Sequence, residues 1–403
     1  MRHLLAGLLL LLTVHGRCQD AVVQAILNDL SIDTLLHYVN ELTGETPIDV
    51  GNGPELIVSR HKNNPGNAVS QAWIEQKFQH LGYTPQVQVF STTGRNVWAV
   101  KPGLLYPDEF VILCAHYDAL PAGFLAAPAA DDDGSGTAVV LEAARIMAGH
   151  DFAYTTVFAL WDEEEQGLVG SAYYAGAMAS NDAVIRAVVN MDAIAWDGNG
   201  DKKARVHTRP IANSLAIADT VMAMLDRYAI DIDLIYTNPG ATYSDHASFW
   251  NNAFGAVLII EDFTNDPNPY YHTSNDKVEH FDVPYFEKLA RLSISAFATL
   301  AVPMNTLQGV VPAGDAPRAA VELYPNPASD DVRVVLDAAT AGHVQVTLLD
   351  ALGREVALVY VGYLPAGKHR IEAPLWELPQ GAYTVRVIGP GGAFATARLL
   401  RVL

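Results

Sequence analysis

The sequence predicts an α/β fold, with a mostly parallel central sheet covered by helices on both faces, followed by a small all-β sandwich domain. Three observations carry this expectation. From residue 111 to residue 302, apolar runs suited to buried strands alternate with stretches of helical periodicity, which is the rhythm of a parallel sheet with crossover helices. Residues 304–320 are rich in Pro, Gly and Ala and read as a linker. Beyond them, short alternating runs are separated by turn signals, the pattern of a small β sandwich.

The elements follow in order. Met1-Arg2-His3 and the apolar residues 4–12 read as a signal peptide over residues 1–17, with an apolar run too short to span a bilayer. Cys18 follows Arg17, a poor neighbour for lipoprotein processing. Cys114 lies in an apolar strand and reads as a core residue, so no disulfide is expected. The main domain is placed at 18–303, with 18–60 open to a propeptide-like role. Residues 22–39 are amphipathic and helical, and 70–81 form a second helix with Trp73, Phe78 and Leu81 on one side and Gly82 as its stop. Residues 86–90 and 96–100 alternate as strands, and Pro102-Gly103 turns into the run 111–115. A helix over 137–148, a strand over 155–161, a helix over 169–178 and a strand over 184–191 come next. A helix over 211–228, a strand over 256–260 and a helix over 284–302 close the domain. In the sandwich, placed at 321–403, strands are expected over 332–336 and 344–348, around Ile371, and over 383–388.

Half of the chain is hydrophobic and 17% is charged, a composition that folds. Twenty-five basic against 45 acidic residues give a net charge of −20. That balance argues against nucleic acid and anionic membranes as partners.

The chemistry gathers where strands end. His116 and Asp118 follow the run 111–115. Asp131, Asp132 and Asp133 stand before Gly134-Ser135-Gly136. Glu164 and Glu165 follow the strand 155–161, Asp192 follows 184–191, and His272 comes later. Open α/β sheets place their sites at the carboxyl ends of strands. Carboxylates gathered there repel unless a cation neutralises them, and this mixture of imidazole and carboxylate suits a divalent metal such as zinc.

His116-Tyr117-Asp118, the segment 130–136 (ADDDGSG), 164–171 (EEQGLVGS), Asn190-Met191-Asp192, Ser244-Asp245-His246-Ala247 and 271–276 (YHTSND) together resemble the motif set of the di-zinc aminopeptidase family. That family includes the secreted bacterial leucine aminopeptidases and has glutamate carboxypeptidase and glutaminyl cyclase as relatives. The resemblance covers residues 35–300 and implies two zinc ions per chain. It implies that Asp132 bridges them, that His116 and Asp192 complete one site, and that Glu165 and His272 complete the other. Glu164 matches the general base, and Asp118 the carboxylate that orients His116. Asp131 and Asp133 are not expected to bind metal. The family also implies a cis peptide between Asp132 and Asp133, and the Gly-Ser-Gly run is read as a tight turn into the next helix. The segment 239–243 lacks the cysteines that cap the pocket in one family member. Tyr243 and Tyr271 are read either as hydrogen-bond donors to a tetrahedral intermediate or as pocket walls.

In the last domain, residues 323–328 (LYPNPA), 350–354 (DALGR), 378–383 (LPQGAY) and 398–403 (RLLRVL) resemble the sorting domain of the type IX secretion system. The resemblance implies export by the signal peptide and then by that machinery, to a secreted or surface-attached location. A carbohydrate-binding sandwich is the alternative, with Trp376 as its single tryptophan. The leading expectation is a monomeric, secreted aminopeptidase acting on peptides, with no transmembrane segment. A single-zinc enzyme like glutaminyl cyclase and a non-catalytic binding module on the same fold are its alternatives.

Overall fold

A computed structural model describes residues 19–121, 126–304, 321–338, 341–349, 355–376, 378–389 and 394–402. The expected signal peptide, residues 305–320 of the expected linker and the 350–354 motif lie outside them. The chain divides into two compact units, 1–306 and 307–403.

The first unit opens with α1 (Ala21–Asn28) and α2 (Ile32–Leu42) in place of one continuous helix. The break follows from capping chemistry. Asp20 accepts from the Val22 and Val23 amides, and Ser31 accepts from Thr34 N–H to start a second helix. Then come α3 (Pro65–His80), β1 (Gln86–Val89), β2 (Arg95–Lys101), β3 (Tyr106–His116), α4 (Gly136–Met147), β4 (Asp151–Phe152), β5 (Tyr154–Trp161) and α5 (Val169–Ser180). The order continues with β6 (Val184–Met191), β7 (Lys203–His207), α6 (Ser214–Tyr228), β8 (Asp233–Thr237), α7 (His246–Asn251), β9 (Ala256–Glu261) and α8 (Val283–Leu300), and ends at β10 (Pro303–Met304), which pairs with β4.

Eight strands form one sheet in the order β1-β2-β5-β3-β6-β9-β7-β8. Its centre, β5-β3-β6-β9, is parallel, as is the β7-β8 pair. The remaining neighbours run antiparallel. Alternation along β3 shows both faces covered. Val111, Leu113 and Ala115 join the core built with α1 to α4, α6 and α8, whereas Ile112 and Cys114 join Tyr174 of α5 and Phe249 and Trp250 of α7. Register then sets the site. His116 lies opposite Trp161, and Cys114 opposite Asn190, so three strands end side by side. β7, β8 and the six-residue α7 are not foreseen in the sequence, because each is too short to set up a clear period, and β7 reads KARVH, with basic residues at alternate positions.

Among the described residues the second unit holds seven antiparallel strands: β11 (Val321–Tyr324), β12 (Asp331–Ala338), β13 (Gly342–Leu349), β14 (Glu355–Leu364), β15 (Gly367–Pro374), β16 (Gly381–Ile388) and β17 (Phe394–Arg401). They form sheets ordered β11-β12-β15 and β14-β13-β16-β17. Val332, Val334, Leu336, Val346, Leu348 and Val385 fill one core.

Residues 19–60 are part of the first unit's core. Val23, Ile26, Leu27, Leu35, Val39 and Leu42 are fully buried. Glu142 of α4 accepts from Ser31 N–H, and Arg291 of α8 donates to Leu27 O. Ile26→Ala should therefore lower the stability of this unit by about 2–5 kcal/mol, the usual cost of such a cavity. Chemical denaturation followed by tryptophan fluorescence measures it, since this unit holds five of the six tryptophans.

Candidate metal centre

Two groups of side chains place potential ligand atoms within 4.8 Å of one another: His116, Asp132 and Asp192, and Asp132, Glu165 and His272. Asp132 belongs to both. His116 Nε2 lies 3.1 Å from Asp132 Oδ1 and 3.7 Å from Asp192 Oδ1. His272 Nε2 lies 2.9 Å from Asp132 Oδ2 and 3.0 Å from Glu165 Oε2. Each imidazole thus faces a different oxygen of one carboxylate. The five residues named from the sequence as ligands come together here, His116 from the end of β3 and the others from four separate connections.

A cation fits this donor set. Asp132 Oδ2, Glu165 Oε1 and His272 Nε2 are buried without a hydrogen-bond partner. The 2.9 Å approach of His272 to Asp132 therefore lacks hydrogen-bond angles, and the atoms converge on a point between them. Such orphaned polar atoms are costly unless something satisfies them. The electrostatics agree. Burial alone would lower both imidazoles, yet Glu164, Asp118 and Asp132 hold His116 well above its ordinary value, and Asp132 and Glu165 push His272 up to about 10. Burial raises Glu165 to about 8, with the Asp132 charge adding to it, and burial lifts Glu164 well above the usual carboxylate range. This is a place that draws positive charge.

The three consecutive aspartates diverge. Asp132 turns into the site, and the Asp132–Asp133 peptide is cis. Asp131 turns away, accepting from Ala195 N–H and Asn268 Nδ2. Asp133 ties two elements together, accepting from His116 N–H at the end of β3 and from Gly136 N–H at the start of α4. That contact corrects the reading of the Gly-Ser-Gly run. Gly136 has an ordinary helical φ of −65°, but a Cβ there would lie 2.5 Å from Asp133 Oδ1. Glycine is needed for the carboxylate's close approach and not for a special turn.

Asp118 does more than the sequence indicates. Its Oδ1 stands 3.4 Å from His116 Nδ1, an ionic distance at which that nitrogen has no hydrogen bond. Its firmer contacts are the amides of Glu164, at 3.0 Å, and Glu165, at 3.2 Å. One buried carboxylate thus indexes the turn carrying Glu164 and Glu165 against the end of β3. That turn is bracketed by Glu163 and Leu168, both in the left-handed region at φ 59° and 60°. Such strain, of order 1–3 kcal/mol for each residue, is held at Glu163 by Ser91, Thr93 and Lys62, which bind its carboxylate.

Sequence reasoning missed Asp276. Its carboxylate accepts from the Asp131 and Asp132 amides, at 2.9 and 3.1 Å, and so ties the His272 loop to Asp132. The YHTSND motif contains it, but only the fold shows what its acid faces. Also missed were His207 and His246. His207 Nδ1 accepts from Ala241 N–H, and His246 Nε2 approaches Ala241 O at 2.9 Å. Two buried imidazoles thereby grip the peptide leading to Thr242 and Tyr243.

Those two residues line a cavity of about 680 Å³ with Asp132, Glu164, Glu165, Asp192, Leu168, Ile260, Phe263, Tyr271 and His272. Tyr271 stacks on His272 and meets Phe263 edge-on. Both tyrosines named from the sequence are therefore at the cavity wall.

Burial holds His207 down at about 4 and His246 at about 3. Both stay neutral when folded but take protons when unfolded, near 6.5. Their contribution is complete above pH 6.5 and is lost as pH falls from there toward 4 for His207 and 3 for His246. His207→Asn keeps an acceptor for Ala241 N–H without that titration. Its thermal midpoint should fall less steeply than the wild type's between pH 6.5 and 4 in parallel melts.

Residues 96–297 match Peptidase family M28, and residues 322–398 match the secretion system C-terminal sorting domain. A "Probable leucine aminopeptidase" of Trichophyton verrucosum is 30% identical over 220 residues, covering 52% of this chain and 58% of that protein. The chain thus spans little more than half the length of this relative. Among solved structures, LapA of Legionella pneumophila superimposes with a TM-score of 0.60 at 24% identity, over 69% of this chain and 75% of its own. Glutaminyl cyclase of Porphyromonas gingivalis does so with 0.52 at 18%, over 67% and 98%. At these identities the two structures establish the shared fold.

Proposed function

We propose, for a chain that belongs to Peptidase family M28, that it is an exported di-zinc aminopeptidase removing N-terminal residues from peptides. The observation that carries the reading is the Asp132 carboxylate shared between two ligand groups, one with His116 and Asp192, the other with Glu165 and His272. When bound there, two zinc ions would polarise the scissile carbonyl and acidify the attacking water.

The remaining chemistry belongs to the chain. Glu164 is buried beside the ligands, lines the same cavity, and has its proton affinity raised by burial. It takes the proton of the attacking water and returns it to the leaving amine. Asp118 fixes the Glu164 backbone, and so the direction from which the carboxylate acts. Asp132, Glu164, Glu165 and Asp192 are the charged cavity residues besides His272, and no Lys or Arg is among the lining residues. No basic side chain is thus placed to pair with a substrate's terminal carboxylate away from the metal-holding residues, which favours cleavage from the amino end. Leu168, Ile260 and Phe263 leave room for an apolar side chain.

The sorting domain at residues 322–398 supports export through type IX secretion to the exterior or the cell surface. Among the described residues no helix is long and apolar enough to cross a membrane, and the metal-binding groups found among them all lie before residue 304. A glutaminyl cyclase shares the fold. Conversion of N-terminal glutamine to pyroglutamate, with one zinc per chain, would support that alternative.

Glu164→Gln should lower turnover of aminoacyl-nitroanilides by about 10²–10⁴-fold, the usual weight of a general base, while elemental analysis still finds two zincs per chain. Wild-type turnover, or lost metal, would reassign the residue. Deleting residues 323–403 should leave hydrolysis intact in the purified protein but keep it inside the producing cell. Cell fractionation and an assay of the truncated protein decide this.

A further inference from the structure

Arg60 is fully buried, yet no carboxylate lies within ion-pair distance of it among the described residues. A charged side chain in the interior must be satisfied somehow, and here backbone carbonyls do it. Nε donates to Tyr117 O at 2.7 Å. One terminal nitrogen donates to Leu42 O at 3.0 Å and Pro128 O at 2.6 Å, and the other to Ala129 O at 2.7 Å. Leu42 ends α2, where helix carbonyls lack partners and the dipole is negative.

The other three carbonyls have a common meaning. Tyr117 lies between His116 and Asp118. Pro128 and Ala129 lead into Asp131, Asp132 and Asp133. Tyr117 thus belongs to one group of site residues and Pro128-Ala129 lead into the next, and a single guanidinium joins the two. The backbone of Arg60 is held as well. Asn67 Nδ2 donates to Arg60 O and to Asp162 Oδ1, and Asp162 in turn accepts from the Glu163 amide. The residue thus stands where the approaches to His116, Asp132 and Glu164 meet. Its charge also faces Asp276, Asp118, Asp133 and Asp132 at longer range, offsetting part of their mutual repulsion.

We infer that Arg60 is a positioning residue for the metal centre, setting the separation of His116 and Asp132 by holding the carbonyls of Tyr117, Pro128 and Ala129 on one guanidinium. The inference rests on the di-zinc reading of the site. Only a planar fork with five donors reaches four carbonyls in these directions, and a lysine ammonium has three donors at one point. The same contacts place residue 60, at the edge of the segment open to a propeptide-like role, inside the catalytic unit.

Arg60→Lys in the full chain keeps the charge and loses the fork. With the variant shown to be folded by circular dichroism, its zinc dissociation constant, from competition with a chromophoric chelator, should rise at least tenfold, as for other residues that orient ligands. The visible spectrum of the cobalt-substituted protein should change, and kcat should fall about tenfold or more with KM within about twofold. A folded variant with wild-type zinc affinity and cobalt spectrum overturns the inference. If Arg60→Lys does not fold, Arg60→Gln is measured in the same way. If neither folds, Arg60 supports the whole core and the specific role is rejected. Wild-type protein is the control for the underlying reading: if it takes up no zinc, the di-zinc reading itself fails, whatever the variants do.

Discussion

One carboxylate organises this molecule. Asp132 presents one oxygen to His116 and the other to His272, and those histidines come from chain segments more than 150 residues apart. Anything that turned Asp132 by a rotamer would separate the two groups of candidate ligands. Much of the surrounding structure can be understood as preventing that turn. Its amide is held by Asp276, the next residue is tied to β3 and α4, and the previous one is held by Ala195 and Asn268. Three identical residues in a row thus perform three tasks, and only the middle one faces the cavity.

The cost of this design is a concentration of buried acid. Asp118, Asp131, Asp133, Asp192 and Asp276 are all buried around Asp132, and gathering like charges in a low-dielectric interior is unfavourable unless each finds compensation. The compensation is mostly backbone. Asp118, Asp131, Asp133 and Asp276 each accept from one or more main-chain amides. Main-chain donors suit the task because they cannot rotate away and carry no charge that would compete with a cation. The acids left with unsatisfied oxygens include Asp132 and Glu165, where such a cation would be held.

What the sequence made legible follows from how each feature is encoded. The alternating pattern reveals the central sheet because β3, β5, β6 and β9 are near-continuous apolar runs. The candidate ligands are legible because they sit in short contiguous motifs at or just beyond strand ends. Contacts made across the chain are not. Asp276 to Asp132 spans 144 residues and Arg60 to Ala129 spans 69, and no periodicity or local spacing records either. The single helix expected over 22–39 failed for a different reason. Its apolar pattern persists through the break, and only Ser31, a capping residue in an otherwise helical run, marks where one helix stops and another starts.

Gly136 shows how a correct identification can rest on the wrong cause. Its place after three aspartates suggests conformational freedom, but its backbone is ordinary and the constraint is steric contact with a carboxylate. The distinction matters for how the centre is built. A flexible turn would leave Asp133 free to move, whereas a carboxylate seated against a bare Cα and two amides is fixed on three sides. Because the Asp133 amide follows directly on Asp132, that rigidity passes to the residue shared by the two candidate ligand groups. Asp118 does the same for Glu164 and Glu165 from the opposite side of the cavity. The site is therefore preorganised by carboxylates that do not line the cavity, each converting the fixed end of a strand into a fixed position for a residue that does.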